Sequence, residues 1–173
     1  MKKFVCLLFL LTSFSSFASW TQPVAKWASE VYLTGNFQMP PTQECLAKNV
    51  WFESRGESKL GKTLVANVVR NRTSFGRPFA NTICTVVYQK SQFSWTLESS
   101  KRNAKFNQIM RKNLKKDRKN LQETLEIVFN QTYFGQKIKT NATHFTSEKP
   151  RFKRVKSLGK VGRHHFFVYL GNG

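Results

Sequence analysis

The chain has 173 residues and a formal net charge of +20, from 29 Lys and Arg residues against 9 Asp and Glu. Hydrophobic residues make up 40% of the sequence and aromatic residues 14%, which is enough for a packed core and excludes a disordered basic tail. The length fits a single domain and leaves little room for two.

The first 18 residues have the three parts of a secretory signal peptide. Lys2 and Lys3 form a basic start, residues 4–11 are an apolar run too short to span a bilayer, and Ser16 and Ala18 are the small residues of a cleavage site. We therefore expect cleavage near Ala18 and export to the periplasm or the medium, with an uncleaved N-terminal anchor as the alternative. Export argues against nucleic acid as a partner, although the charge alone would have suited one.

The predicted elements after the signal peptide are mainly helical. Residues 19–41 form an N-terminal extension, in which Trp27 and Val31 share one face of an amphipathic stretch at 25–33. Apolar residues at helical spacing, with Asx, Ser or Thr caps and glycine stops, then mark the later helices. The expected helices cover 43–55 after a Thr42 cap, 58–72, 81–89 after an Asn81 cap, part of 101–119, and 118–134.

The C-terminal third has a different character. Residues 143–146 and 166–170 are aromatic and β-branched enough for short strands, with a basic segment at 149–163 between them. Residues 91–95 are interpreted as a loop with exposed aromatic side chains. The sequence therefore predicts an α+β fold that is mainly α, with a small β element near the C-terminus.

Two cysteines, Cys45 and Cys84, remain once the signal peptide with Cys6 is removed. An even number of cysteines in an oxidising compartment indicates a disulfide. Two buried free thiols are the alternative. A CxxC metal site is excluded because the sequence lacks that spacing.

Glu53 stands out among the few carboxylates. On a helix with 100° per residue it shares a face with Leu46 and Val50, so that its side chain lies in the apolar stripe. Burial there raises the pKa of a carboxyl group, which is what a general acid near neutral pH requires. The alternative is an ion pair with a nearby cation, namely Arg55, Arg70 or Arg72.

Several motifs occur in a fixed order along the chain. ECLAKNVWFESRGE at 44–57 leads into a helix that ends in Asn-Arg at 71–72, and FANTICTVVYQ and QFSW follow at 79–89 and 92–95. ATHF and GRHHFF stand near the C-terminus, at 142–145 and 162–167. Over roughly residues 43–169 this order resembles the SleB/CwlJ-type cell wall hydrolases, the spore cortex-lytic enzymes and their bacterial and phage relatives. Ser54 in place of the usual Ala, and the strongly basic 101–119 segment, depart from the pattern.

The resemblance implies a lysozyme-like single catalytic domain over 42–173. It would cleave the glycan strand of peptidoglycan between N-acetylmuramic acid and N-acetylglucosamine as a lytic transglycosylase, with Glu53 as the single catalytic carboxyl group and no cofactor. Glu57 is expected to be a structural partner at the start of the next helix, and a second catalytic carboxylate is the alternative. The other functions considered are a zinc-type amidase and a non-enzymatic basic protein that binds peptidoglycan or nucleic acid. We expect a monomer.

The saccharide groove implied by the resemblance combines an amide, a hydroxyl and aromatic rings, as sugar binding requires. His144 and His164 are expected at the groove floor. A zinc site formed by these two residues and His165 is the alternative. Against it, the adjacent residues His164 and His165 would point to opposite faces of a strand, and the sequence has no HExxH motif. For Phe93 and Trp95, packing in the hydrophobic core is the alternative to sugar binding. The groove residues are Tyr88, Gln92, Phe93, Ser94 and Trp95.

The excess positive charge is concentrated in two segments. Nine Lys and Arg residues fall in 101–119 and seven in 149–163. A charge run is ordinarily a solvated face. The functional interpretation is electrostatic contact with anionic wall or outer-membrane components, which salt would screen.

Overall fold

The computed structural model describes residues 15–35, 37–111, 115–136, 138–150 and 154–170. In these residues it contains six α-helices, one 3₁₀ helix and a small three-stranded antiparallel sheet near the C-terminus. This confirms the predicted mainly-α α+β class. Most of the predicted signal peptide lies outside the described residues.

The helices follow the predicted order with shifted ends. None of them, within the described residues, is both long and apolar enough to cross a membrane. Their bounds are α1 Ser15–Leu33, α2 Pro41–Ser54, α3 Lys59–Phe75, α4 Ile83–Val87, the 3₁₀ helix Ser94–Glu98, α5 Ser99–Arg111 and α6 Lys115–Tyr133.

Helix α2 lies at the centre of the fold, in contact with α3, α4 and α6. Leu46, Val50 and Trp51 of α2 are fully buried, as are Val65 and Leu121 on the neighbouring helices. Full burial of each such side chain is worth about 1.5–3 kcal/mol relative to exposure. The last turn of α2, which carries Glu53, is therefore anchored by the core.

Two predicted helix caps are wrong. Helix α2 begins at Pro41 with Pro40 as its N-cap, not Thr42, because proline in the first turn has its φ angle already set for a helix and lacks the N–H that would need a partner. Helix α4 is capped by Thr82 rather than Asn81, since Thr82 and Thr85 form a reciprocal capping box. Ser58 caps α3 by accepting a hydrogen bond from Gly61 N at 3.3 Å.

Helix α1 packs along α6. The face it buries carries Ala25, Ala28 and Tyr32, while Trp27 is 65% exposed. The amphipathic stretch therefore exists, and the side that carries Trp27 is not the one that it buries. The small alanine side chains allow the two helices to approach closely, which a tryptophan on that face would prevent.

The sheet has the strand order β1-β3-β2, with β1 at His144–Thr146, β2 at Val155–Val161 and β3 at His164–Tyr169. The central strand β3 is the most buried. Strand β2 falls inside the segment that was predicted only as a basic stretch. It is an edge strand with mostly exposed side chains and an irregularity between Ser157 and Gly159, so it lacks the alternating apolar pattern.

Cys45 and Cys84 form the predicted disulfide, with their Cα atoms 5.3 Å apart. The bond joins the first turns of α2 to the short helix α4. It thereby ties the helix that bears Glu53 to the segment that leads into residues 88–98.

Candidate active site

Glu53 lies in the last turn of α2 and is partly buried. Burial raises the pKa of its carboxyl group from 4.5 to about 7, and the positive charge of Arg72 acts in the opposite direction. No cation of the described residues lies within ion-pair distance of Glu53. The predicted partial burial is therefore present, and the group is close to half-protonated at neutral pH.

Arg72, near the end of α3, is the cation that acts on Glu53, and only 4% of it is exposed. Its guanidinium group lies 5.0 Å from the ring centres of both Phe79 and Phe93, and its Nε donates to the backbone oxygen of Thr143 at 2.7 Å. Burial lowers the pKa of Arg72 to about 10, which still leaves it charged at neutral pH. Three separate parts of the chain thus hold one buried positive charge close to the acid.

His144 belongs to the same cluster. Its ring stacks on Phe167 with the centres 5.2 Å apart, and its Nδ1 shares a hydrogen bond of 2.9 Å with the hydroxyl of Thr143. Burial, assisted by the charge of Arg72, lowers the pKa of His144 to about 4. The imidazole is therefore neutral at neutral pH and contributes hydrogen bonding rather than charge.

Trp95 packs against α2 close to the turn that carries Glu53. Its Nε1 donates to Oδ1 of Asn49 at 3.0 Å, one helical turn before Glu53, and its ring packs on Phe52 with the centres 5.0 Å apart. Tyr88 meets Trp95 edge-on at 5.7 Å and is itself 41% exposed. This places Tyr88 at the surface above a fixed tryptophan.

The segment predicted as a loop with exposed aromatics is different in the structure. Phe93 and Trp95 are only 3% and 4% exposed and belong to the core, because Arg72 and Asn49 provide them with partners that the local sequence does not reveal. Ser94 is exposed and Gln92 is partly buried. The surface of this segment is thus polar, with the aromatic rings beneath it.

Glu57 forms a buried contact with the turn between β2 and β3. It is 7% exposed, and it accepts hydrogen bonds from the backbone N of Arg163 at 3.2 Å and from Nε of Arg163 at 2.8 Å. Burial tends to raise the pKa of Glu57, but the hydrogen bonds from Arg163 outweigh it and lower the pKa. A Cβ atom at Gly162 would clash with Oε2 of Glu57, and the φ of +57° there also favours glycine. The geometry is that of a structural partner.

His164, at the start of β3, is buried against Phe145, with the ring centres 4.9 Å apart. Burial lowers its pKa, although the charge of Glu57 opposes this. His144 and His164 lie on different strands and in different contacts. In the part of the chain that the structure describes, no three His, Cys, Asp or Glu residues form a group that could hold a metal ion.

The two carboxyl groups near the end of α2 have pKa values displaced in opposite directions. Glu53 carries a proton for about half of the time near pH 7, whereas Glu57 is held ionised by Arg163. Separate environments of this kind assign different roles to two carboxyl groups. The arrangement supplies one group that can both give and accept a proton.

Arg72 is the functional candidate that the sequence interpretation missed, since it appeared only as one of three possible ion-pair partners. The signal was present: Val65, Val68 and Val69 form the apolar stripe of α3, and Arg72 continues it at helical spacing. A charged side chain within an apolar stripe is the same feature that identified Glu53.

Comparison with known proteins gives one family. Neither the curated proteins nor the solved structures show a significant match. The model of the family described as Cell Wall Hydrolase matches residues 56–167, a stretch that begins just after Glu53 and includes Glu57, Arg72, strands β1 and β2 and the first part of β3. Because the match covers well over half of the sequence, the chain belongs to the cell wall hydrolase family.

Proposed function

We propose that this cell wall hydrolase is exported and cleaves the glycan strand of peptidoglycan between N-acetylmuramic acid and N-acetylglucosamine as a lytic transglycosylase. The observation that carries the proposal is the pKa of Glu53, raised by burial to about 7. A group that must first donate and then accept a proton works best when its pKa lies near the working pH.

The reaction needs one carboxyl group. Protonated Glu53 donates its proton to the glycosidic oxygen as the bond from C1 of the muramic residue breaks, and N-acetylglucosamine leaves as an alcohol. The Glu53 carboxylate then accepts the proton of the C6 hydroxyl of the muramic residue as O6 bonds to C1. The product is a 1,6-anhydro sugar, and Glu53 is protonated again.

Arg72 supports this cycle electrostatically. Its buried charge favours the ionised form of Glu53, which is the form between the two proton transfers. Because burial of Glu53 acts in the opposite direction, neither protonation state is strongly preferred. Glu57 is not required as a second catalytic carboxylate, since both of its carboxylate oxygens already accept hydrogen bonds from Arg163.

The side chains proposed to contact the saccharide are chosen by their exposure at the surface. Tyr88, Gln92, Ser94 and the partly buried His144 are proposed to touch the sugar, because they present polar atoms or a ring edge at the surface. The buried side chains are proposed to support these contacts from beneath. They are Phe93, Trp95 and His164.

Export and wall attachment complete the proposal. Residues 1–18 would direct the chain out of the cytoplasm, and the basic residues of 101–119 and 149–163 would hold it on the polyanionic wall. Such attachment weakens with salt, since the Debye length falls from about 10 Å at 0.1 M to about 3 Å at 1 M.

The test is digestion of purified sacculi by the wild type and by Glu53→Gln, with mass spectrometry of the soluble products. Glu30→Gln on α1 is the matched control, because its side chain is exposed and lies outside the residues proposed to contact the substrate. We expect anhydromuropeptides from the wild type and the control, and none from Glu53→Gln, which should still bind sacculi at low salt. Lysis by Glu53→Gln would remove Glu53 from the mechanism. Reducing muropeptides would instead indicate a muramidase, and free peptides an amidase.

A further inference from the structure

A small cavity lies between the last turn of α2 and the beginning of α5. Its volume is about 70 Å³, more than two water molecules occupy in the liquid at about 30 Å³ each. Phe52, which lines it, is the residue next to Glu53 in the chain. The cavity is lined by Trp51, Phe52, Arg55, Arg102 and Lys105.

Positive charge is in excess around this cavity. Asp117 is 3.9 Å from Nη1 of Arg55 and Glu98 is 3.7 Å from Nε of Arg102, both longer than a hydrogen bond. Among the described residues Lys105 has no ion-pair partner. The three cations therefore outnumber the two carboxylates, which engage them only loosely.

Two buried N–H groups that belong to residues of the cavity lining have no acceptor in the described part of the chain. One is Nε1 of Trp51, a fully buried side chain, and the other is Nε of Arg102. Buried donors are nearly always hydrogen-bonded, and leaving one unpaired costs free energy. Two such donors beside one cavity indicate a missing acceptor.

The aromatic walls hold the guanidinium groups in place. Arg55 lies over the ring of Trp51 at 5.5 Å, and Arg102 over the ring of Phe52 at 5.9 Å. Stacking of this kind fixes the plane of a guanidinium group and so the direction of its N–H bonds. The cavity thus presents oriented donors and positive charge before any ligand arrives.

We propose that this cavity binds a carboxylate of the peptide stem carried by the muramic residue that Glu53 attacks. This rests on the proposed function. A carboxylate matches the planar fork of an arginine and accepts several hydrogen bonds at once. In a peptide-bearing strand the lactyl carboxyl group of each muramic residue is bound to the stem as a neutral amide, so the stem's own carboxylates are the anions that the substrate brings close to the cleaved bond. The contact selects glycan that still bears peptide and positions its muramic residue over Glu53.

The test compares Arg102→Gln/Lys105→Gln with Lys26→Gln/Lys139→Gln, which removes the same charge from exposed positions outside both basic segments and away from the cavity lining. Each is assayed on peptide-bearing glycan chains and on the same chains with their stem carboxylates converted to primary amides. We expect the cavity variant to lose about tenfold in kcat/KM on the chains with free stem carboxylates, as for a hydrogen-bonded charged contact, and to match the wild type on the amidated chains. The control variant should have the same kcat/KM as the wild type on both substrates. An equal loss on both substrates, or none on either, would overturn the proposal.

A binding measurement separates this proposal from the cleavage mechanism. Glu53→Gln and Glu53→Gln/Arg102→Gln/Lys105→Gln are titrated with a disaccharide tetrapeptide, with the same compound after its carboxylates are converted to primary amides, and with inorganic phosphate. Tighter binding of the tetrapeptide that depends on Arg102 and Lys105 supports the proposal even if the bond cleaved is a different one. Dependence for phosphate but not for the tetrapeptide would assign the cavity to a free anion and refute the stem carboxylate.

Discussion

Replacing Glu53 by Gln is expected to stabilise the fold by an amount that grows with pH. Burial raises the pKa of Glu53 from 4.5 to about 7, and each pKa unit corresponds to about 1.4 kcal/mol. Between these two values the folded chain holds a proton that the unfolded chain has lost. The stability of the wild type therefore falls as pH rises through this window, by roughly 3 kcal/mol in all, and levels off above about pH 7. Glutamine cannot ionise, so the variant escapes this loss.

The assay is urea unfolding of both proteins from pH 4 to pH 8, followed by tryptophan fluorescence. We expect similar free energies of unfolding near pH 4 and a variant more stable by about 3 kcal/mol at pH 8. Glu98→Gln, at an exposed side chain, should stay within about 0.5 kcal/mol of the wild type throughout. A Glu53→Gln difference that does not change with pH would refute the desolvated carboxyl group. A variant less stable at pH 8 would mean that attraction to Arg72 outweighs burial.

Two further predictions concern the supports of the site. Cys45→Ser/Cys84→Ser should lose about 4 kcal/mol in the free energy of unfolding, because the disulfide closes a loop with a sequence separation of 39 residues. An unchanged midpoint in urea unfolding would show that the disulfide does not restrain the unfolded chain. Arg163→Met should lose about 2 kcal/mol at pH 7, because it removes the guanidinium hydrogen bond and charge from the buried Glu57 carboxylate and leaves it only the backbone N–H of residue 163. The loss should shrink as pH falls through the lowered pKa of Glu57. Lys160→Met on exposed β2 is the control, and an equal effect there would point to general charge instead.

The helices could be predicted because their apolar residues recur in the sequence at helical spacing. Val65, Val68 and Val69 of α3, and Leu121 and Leu125 of α6, lie at helical spacing and are all buried. Glu53 was predicted as partly buried by the same reasoning. Periodicity reports which side of a helix faces the core, and it does so without knowledge of what lies opposite.

The features that escaped prediction depend on partners distant in sequence. Strand β2 exists because β3 offers it hydrogen bonds, and its own pattern, with Gly159 inside it, is too polar to show this. Trp95 is buried because Asn49 accepts its N–H from 46 residues away. Arg72 joins the site through Thr143 and two aromatic rings from other segments. The spacing of residues within a segment cannot predict such long-range contacts.

The contact between Glu57 and Arg163 joins positions 106 residues apart, and this separation bears on when the enzyme becomes competent during synthesis. The chain emerges from its N-terminus, so Glu53 and Glu57 are made long before the turn that receives Glu57. Until that turn arrives, the Glu57 carboxylate is left in water without its partner in the protein. An incomplete chain therefore lacks one support of the helix end that bears Glu53. For a member of the cell wall hydrolase family, this delays full assembly of the proposed lytic site until the turn at 162–163 has been made.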